Sequence, residues 1–127
     1  MPLSNAGAVA FASWAIADGL ISVISNANAH LGVGDSTTAF AATQTDLQAS
    51  SNKLRKAMDS SYPTRSSGTL TFRSTFNTSE ANFAWNEWGV FNASSSGTMI
   101  GRKVESLGSK TSSQTWQLTA TVTVAAA

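Results

Sequence analysis

The sequence predicts an α+β fold in which an antiparallel meander of four to five strands packs against two helices. Apolar residues recur at helical spacing in residues 4–20 and 45–58, and the period changes to two from Thr69 onward. Helices that precede a run of strands are typical of this class. We expect a single domain over residues 1–127, with an N-terminal helical segment at 1–27 and a glycine loop, a helix and the sheet at 28–127.

The first element is a helix expected over residues 5–18. Ser4 or Asn5 can cap it, and Trp14 lies on its flank. Its apolar positions follow helical spacing: Ala8, Phe11, Ala12, Ala15 and Ile16. Small alanines allow close packing, so the helix is interpreted as either a core helix or a contact between subunits.

A short strand is expected near residues 28–33, and it ends in a turn that contains Gly32 and Gly34. A second helix is expected over residues 45–57, with one apolar stripe formed by Leu47, Ser51, Leu54 and Met58. An acid in its first turn and three bases in its last turn suit the helix dipole.

Period-two alternation predicts four strands, at residues 69–76, 82–91, 98–105 and 115–124. Short turns rich in serine and glycine separate them, which favours an antiparallel meander. Seven side chains are expected to be mostly buried: Phe72, Phe76, Phe83, Trp85, Trp116, Leu118 and Val122.

The strand at 82–91 combines aromatic residues with one acid, Glu87. Read at period two, one face carries Phe83, Trp85, Glu87 and Phe91, and the other carries Ala84, Asn86, Trp88 and Val90. A carboxylate among aromatic side chains needs a partner, because an isolated buried charge is very costly. We expect Glu87 to be a structural acceptor for backbone amides of a glycine-containing turn, or for Arg73 or Arg102.

Composition excludes several kinds of chemistry. The chain has no Cys, which removes disulfides, thiolate metal ligands and a cysteine nucleophile. Its net charge is +1, and its cations are too scattered for a duplex-binding surface, so no nucleic acid partner is expected. No apolar run reaches the roughly 18 residues of a membrane span, and no basic segment typical of a signal peptide precedes an apolar run.

No catalytic, metal or cofactor site is predicted. The single histidine, His30, lies in an apolar setting, and no Gly-x-Ser-x-Gly elbow is present. Glu80 and Glu87 lie an odd number of residues apart, so on one continuous strand they face opposite sides, and only a bend at Glu80 would allow a glycosidase pair. Trp88 with Asn86 suits a sugar platform, which keeps a glycan- or receptor-binding module open as an alternative.

The surface composition predicts self-association. Only 12% of the residues are charged, whereas about a quarter is usual. Neutral serine and threonine surfaces pack against copies of themselves at low desolvation cost. We expect a homo-oligomer, a trimer first and a larger ring second, with an interface formed by Phe11, Trp14, Trp88 and Val90.

Four segments together resemble a known family pattern: Leu31-Gly32-Val33-Gly34-Asp35, residues 46–56, Trp85-Asn86-Glu87-Trp88-Gly89-Val90-Phe91, and Gly97-Thr98-Met99. Small structural proteins of tailed bacteriophages, and the N-terminal domains of some phage tail-fibre and tail-collar proteins, look like this. The chain differs from tail-fibre proteins because it has no long repetitive shaft.

The resemblance implies a non-enzymatic virion component, assembled in the host cytoplasm. A capsid decoration or cement (minor capsid) protein fits the short length and the near-neutral surface. A tail-associated or tail-fibre attachment protein is the alternative. The implied partners are copies of the chain itself and other virion proteins, such as the major capsid protein or tail proteins.

Overall fold

The computed structural model describes residues 1–126 and contains, within them, one helix and seven strands. The helix, α1, spans Asn5–Ile16. The strands are β1 (His30–Gly34), β2 (Lys53–Ala57), β3 (Thr64–Ser66), β4 (Thr69–Phe76), β5 (Ala84–Phe91), β6 (Met99–Ser109) and β7 (Trp116–Thr123).

The strands form two antiparallel sheets that share one hydrophobic core. The first sheet has the order β2-β1-β5-β6, and the second has the order β3-β4-β7. Leu31 and Val90 of the first sheet join Phe72 and Leu118 of the second in the core, together with Ala10 of α1. The protein is therefore mostly β, and the predicted α+β meander with two helices is wrong.

The helix predicted at residues 45–57 is wrong. Residues 35–52 are irregular, and the chain then enters β2, in which Leu54 pairs with Val33 of β1. Because β1 is buried, the backbone groups on both of its edges need partners. β5 supplies the partners on one edge and β2 supplies them on the other. This demand outweighs the weak helical preference of a short segment.

The single meander is also wrong, although each predicted strand overlaps an observed one. β4 pairs with β7 in a sheet of their own, separate from β5 and β6. Both strands have one apolar face and one face rich in threonine, so they suit an outer layer with one side in water. β1 and β5 are covered on both faces and lie in the other sheet.

An irregularity in β5 separates Trp85 from Glu87, which period two places on the same face. The β5–β6 register shifts between these residues. Trp85 enters the main core, where its ring lies 4.9 Å from the ring of Phe76 and 5.0 Å from that of Trp116, edge to face. Phe83 and Trp116 are only half-buried, whereas the other five side chains expected in the core are buried.

The N-terminus is attached to the edge of β6. Leu3 forms a bridge with Gly101, and the Ser4 N–H donates to the Ile100 oxygen at 3.0 Å. The Ser4 hydroxyl caps α1 by accepting from the Gly7 N–H at 2.9 Å. The helix ends earlier than the predicted residue 18, because Ala17 adopts a left-handed conformation with φ 51°.

Gly7 allows α1 to contact β6, and replacing it with alanine should destabilise the protein. An alanine Cβ there would lie 2.0 Å from the Ile100 oxygen. We expect Gly7→Ala to lower the free energy of unfolding by about 1–3 kcal/mol. On an open helical surface the same change stabilises by roughly 0.5–1 kcal/mol. Chemical denaturation measures the sign, with exposed Ala8→Gly as the control, and a stabilised Gly7→Ala contradicts this packing.

Candidate functional site

The Glu87 carboxylate lies at the centre of a buried polar cluster. It is completely inaccessible to solvent and accepts three hydrogen bonds. The Arg102 Nε donates to Oε1 at 2.7 Å. The backbone N–H groups of Gln48 and Ala49 donate to Oε1 and Oε2, each at 2.8 Å. The carboxylate therefore joins β5, β6 and the irregular segment at residues 35–52.

Arg102 extends this cluster to the start of the same segment. Its side chain is fully buried; Nη2 donates to the Thr38 oxygen at 2.8 Å and Nη1 to the Gln44 Oε1 at 3.1 Å. Of the two arginines considered from sequence, the structure brings Arg102 to Glu87. Arg73 instead pairs with Asp59 at 2.9 Å on the second sheet. The amides come from Gln48 and Ala49, outside the glycine-containing turns.

Glycines in β1 make the space that this cluster needs. Gly34 pairs with Glu87, and a Cβ at Gly34 would lie 2.3 Å from the Glu87 Oε2. A Cβ at Gly32 would lie 2.7 Å from the Phe91 ring and 3.1 Å from Leu47. These glycines therefore permit close approach of side chains rather than unusual backbone angles, and Leu47, Phe91 and Met99 form a small second core on this face.

The arrangement does not suit acid–base chemistry on a substrate. Glu87 has no exposed surface, and its oxygens are occupied by protein donors. Hydrogen bonds from the Lys56 ammonium and then from the Asn77 N–H hold the pKa of Glu80 below its ordinary value, whereas a general acid needs a raised pKa. The His30 Nδ1 lies 2.8 Å from the Asn28 oxygen. Residues 1–126 contain no cluster of three or more potential metal ligands.

The four residues expected at an interface occupy two different environments. Val90 is fully buried and Trp88 is 7% exposed, so both belong to the core of one chain and are not available to a partner or a sugar ring. Phe11 and Trp14 are half-buried and pack edge to face, with ring centres 5.0 Å apart. The Trp14 indole donates to the Ile21 oxygen at 3.0 Å.

Trp88 has one unusual feature, its buried indole N–H. Within the described chain this group makes no hydrogen bond of normal geometry. It lies close enough to Glu105 to contribute to the lowered pKa of that carboxyl, although the hydrogen bond from Lys103 is the main cause. Asn86, the other residue of the sugar-platform alternative, donates to the Asp35 oxygen at 3.0 Å.

The sequence indicates α1 as a possible contact between subunits, but it does not identify the residues that form the exposed apolar surface. Its members are Val9, Ala12, Ile16 and Leu20, which we call the outer α1 face; Val9 is 60% exposed, Ile16 75% and Leu20 83%. The buried positions of the helix are Gly7, Ala10 and Ser13. Apolar residues surround the helix on all sides, so periodicity could not separate its inner face from its outer face. The absence of any charged residue in α1 was the available signal.

Comparison of the chain with protein-family models, with curated proteins and with solved structures gives no match. Among the described residues, no helix is long and apolar enough to cross a membrane.

Loss of the Glu87 carboxylate should destabilise the protein strongly. Glu87→Ala leaves the Arg102 guanidinium buried without its charge partner and leaves two amides without acceptors. We expect the free energy of unfolding to fall by about 3–5 kcal/mol. Glu87→Gln keeps one carbonyl acceptor and should lose less. Denaturation followed by tryptophan fluorescence gives both values.

The matched control is Lys103→Ala, which breaks an exposed pair with Glu105 and keeps the carboxylate beside the Trp88 indole. A change below about 1 kcal/mol is expected there. Equal losses for Glu87→Ala and Lys103→Ala would show that the buried cluster contributes no more than a surface pair.

Proposed function

We propose that this chain is a non-enzymatic structural component of a tailed-phage virion, a capsid decoration (minor capsid) protein that forms a homotrimer through α1. The outer α1 face is the observation that carries the self-association, and the resemblance of residues 87–91 and 97–98 to phage structural proteins supports the virion role. The outer α1 face is an exposed apolar surface, with the Asp18 carboxylate at its C-terminal end, on a helix that carries no charge and whose opposite side is already packed against β6. Large apolar patches of this kind mark interaction sites.

A second copy of the same helix suits this surface. Val9, Ala12 and Ile16 recur at spacings of three and four, which gives a continuous seam along one side of the helix. Neither copy has a charged group in α1 that would lose water when two seams pack. A helix that is apolar on both sides is expected to be covered on both sides.

Symmetry supports the trimer, and the resemblance to phage structural proteins supports the position on the particle. Closed cyclic symmetry covers every outer α1 face without leaving one free. The segments that resemble phage structural proteins, Glu87–Phe91 and Gly97-Thr98, form β5 and the turn after it. The near-neutral surface, with 12% charged residues, favours the decoration role over a tail-fibre role. The proposed virion partner is the major capsid protein.

Charge on the outer α1 face should dissociate the oligomer. Ile16→Lys with Leu20→Lys changes two side chains that are 75% and 83% exposed in one chain, so the fold should be retained. We expect a smaller species in size-exclusion chromatography with light scattering, and unchanged circular dichroism. Ser112→Lys, on an exposed turn, is the control. An unchanged mass for the double variant would refute assembly through α1.

Point substitutions are preferable to removal of residues 1–20. Ala10 is part of the main core, and Leu3 pairs with Gly101 of β6, so truncation would also damage the sheet edge.

The position on the particle is tested separately. Antibody labelling of virions that carry the protein, viewed by electron microscopy, should place the label on the head. Label confined to the tail would replace the decoration role with the tail-associated alternative. Absence of the protein from purified particles would overturn a virion role altogether.

A further inference from the structure

We propose that two copies of this chain also join edge to edge through β7, about a two-fold axis at Ala120, so that their three-stranded sheets merge into one. This contact lies on a different element from α1 and does not depend on the proposed function. The occupant of the β7 edge is thus a second β7 strand, antiparallel to the first.

The outer edge of β7 is open. Within residues 1–126 its only strand partner is β4. The Val124 N–H donates to the Gly68 oxygen at 2.8 Å, and these residues continue the β4–β7 register. Antiparallel pairs alternate between hydrogen-bonded and non-bonded. The backbone groups of the even-numbered residues of β7 therefore bond to β4. The backbone N–H and C=O groups of the odd-numbered residues point to the open edge; these residues are Gln117, Thr119, Thr121 and Thr123.

This edge lacks the features that normally prevent pairing. Open edges are usually protected by proline, by lysine or other charges, or by a bulge. β7 pairs with β4 in an uninterrupted eight-residue register, and residues 111–126 contain neither a charged residue nor a proline. Its outward face is mostly threonine, which is a good strand former.

The sequence of β7 is self-complementary around Ala120. In a two-fold antiparallel pair, residues equally distant from the axis face each other. Thr119 then faces Thr121, and Leu118 faces Val122, so polar meets polar on one side of the sheet and apolar meets apolar on the other. The odd-numbered residues form the hydrogen-bonded pairs. Ala120 meets its own copy at a non-bonded position, where Cα atoms lie about 4.5 Å apart and small side chains fit.

A groove beside β7 fits the remaining side chains of the second copy. Trp85, Leu107, Trp116 and Leu118 line it. In the register centred on Ala120, Val124 of the second copy lies opposite Trp116, at this groove. Val124 is 59% exposed in a single chain, so the same contact covers an exposed apolar side chain and fills a groove in which Thr115, Gln117 and Thr119 join the apolar lining. Because of the two-fold axis, this contact between Val124 and the groove occurs twice in the dimer.

Thr121→Pro tests the edge contact. Proline removes an N–H that faces the open edge and leaves the β4 ladder complete, which is the position where an edge strand tolerates proline. We expect dimerisation to weaken at least about tenfold, because two hydrogen bonds are lost per dimer. Thr121→Val keeps the β-branched shape and the N–H and should behave as the unchanged chain. Light scattering gives the mass, and thermal unfolding checks the fold.

Combining Thr121→Pro with the double variant Ile16→Lys/Leu20→Lys distinguishes the β7 contact from the α1 contact. If both proposals hold, the unchanged chain assembles beyond a trimer, into a closed hexamer or an extended lattice, whereas the α1 variant is a dimer, Thr121→Pro a trimer and the combined variant a monomer. If only the α1 proposal fails, the unchanged chain is a dimer that Thr121→Pro dissociates. If Thr121→Pro remains folded and keeps the mass of the unchanged chain, the β7 proposal is overturned.

A cysteine scan tests the register even if the proline variant does not fold. The chain has no Cys, so one introduced thiol reports alone. Ala120→Cys places two thiols at the axis, within the Cα separation of about 4.4–6.8 Å that a disulfide needs. Thr123→Cys, which is exposed, places them roughly 20 Å apart. Under mild oxidation only Ala120→Cys should yield a covalent dimer; equal or preferential crosslinking of Thr123→Cys, or none at Ala120→Cys, overturns the pairing.

Discussion

The buried pair of Glu87 and Arg102 is the interaction on which the first sheet depends. Both side chains are completely inaccessible, and their charged atoms are 2.7 Å apart. Removing two charges from water costs several kcal/mol each, so the pair is tolerated only where further hydrogen bonds satisfy it. Those bonds come from four residues of the segment between β1 and β2: Thr38, Gln44, Gln48 and Ala49. The ion pair thereby fixes the path of a segment that has no regular structure of its own.

This segment in turn explains why β5 can be apolar on both faces. On one face Trp88 and Val90 reach the core shared with the second sheet. On the other face Phe91 packs against Leu47, and Gly32 leaves the space that this packing occupies. A regular helix at residues 45–57 would commit the Ala49 amide, which lies beyond its first turn, to a bond within the helix, and this amide could not then donate to Glu87. Irregular backbone is therefore a requirement of the buried carboxylate.

The sequence predicted local features well and the pairing between distant elements poorly. β4 and β7 were predictable because each alternates strictly between core and threonine positions, and β4 was placed at its observed residues 69–76. The need of Glu87 for a partner was predictable from its aromatic neighbours, but the choice between Arg73 and Arg102 depends on which strand lies beside β5. Helical spacing between Leu47 and Leu54 was misleading, since Leu54 is positioned by its pairing with Val33. The buried state of Trp88 likewise depends on the second sheet, which no local pattern indicates.

Among the described residues, two of the surfaces that remain apolar or unpaired are the outer α1 face and the β7 edge, and they differ in kind. The outer α1 face offers side chains, with Ile16 75% and Leu20 83% exposed, whereas the β7 edge offers backbone groups. Two helices that pack through apolar side chains can adopt several relative orientations, whereas two paired strands have a fixed direction and a fixed register. A chain that has one cyclic contact and one two-fold contact either closes into a dihedral oligomer or extends as a lattice, depending on the angle between the axes. The proposed β7 strand pair would fix its own axis relative to the fold, so the packing of α1 would decide between these two outcomes.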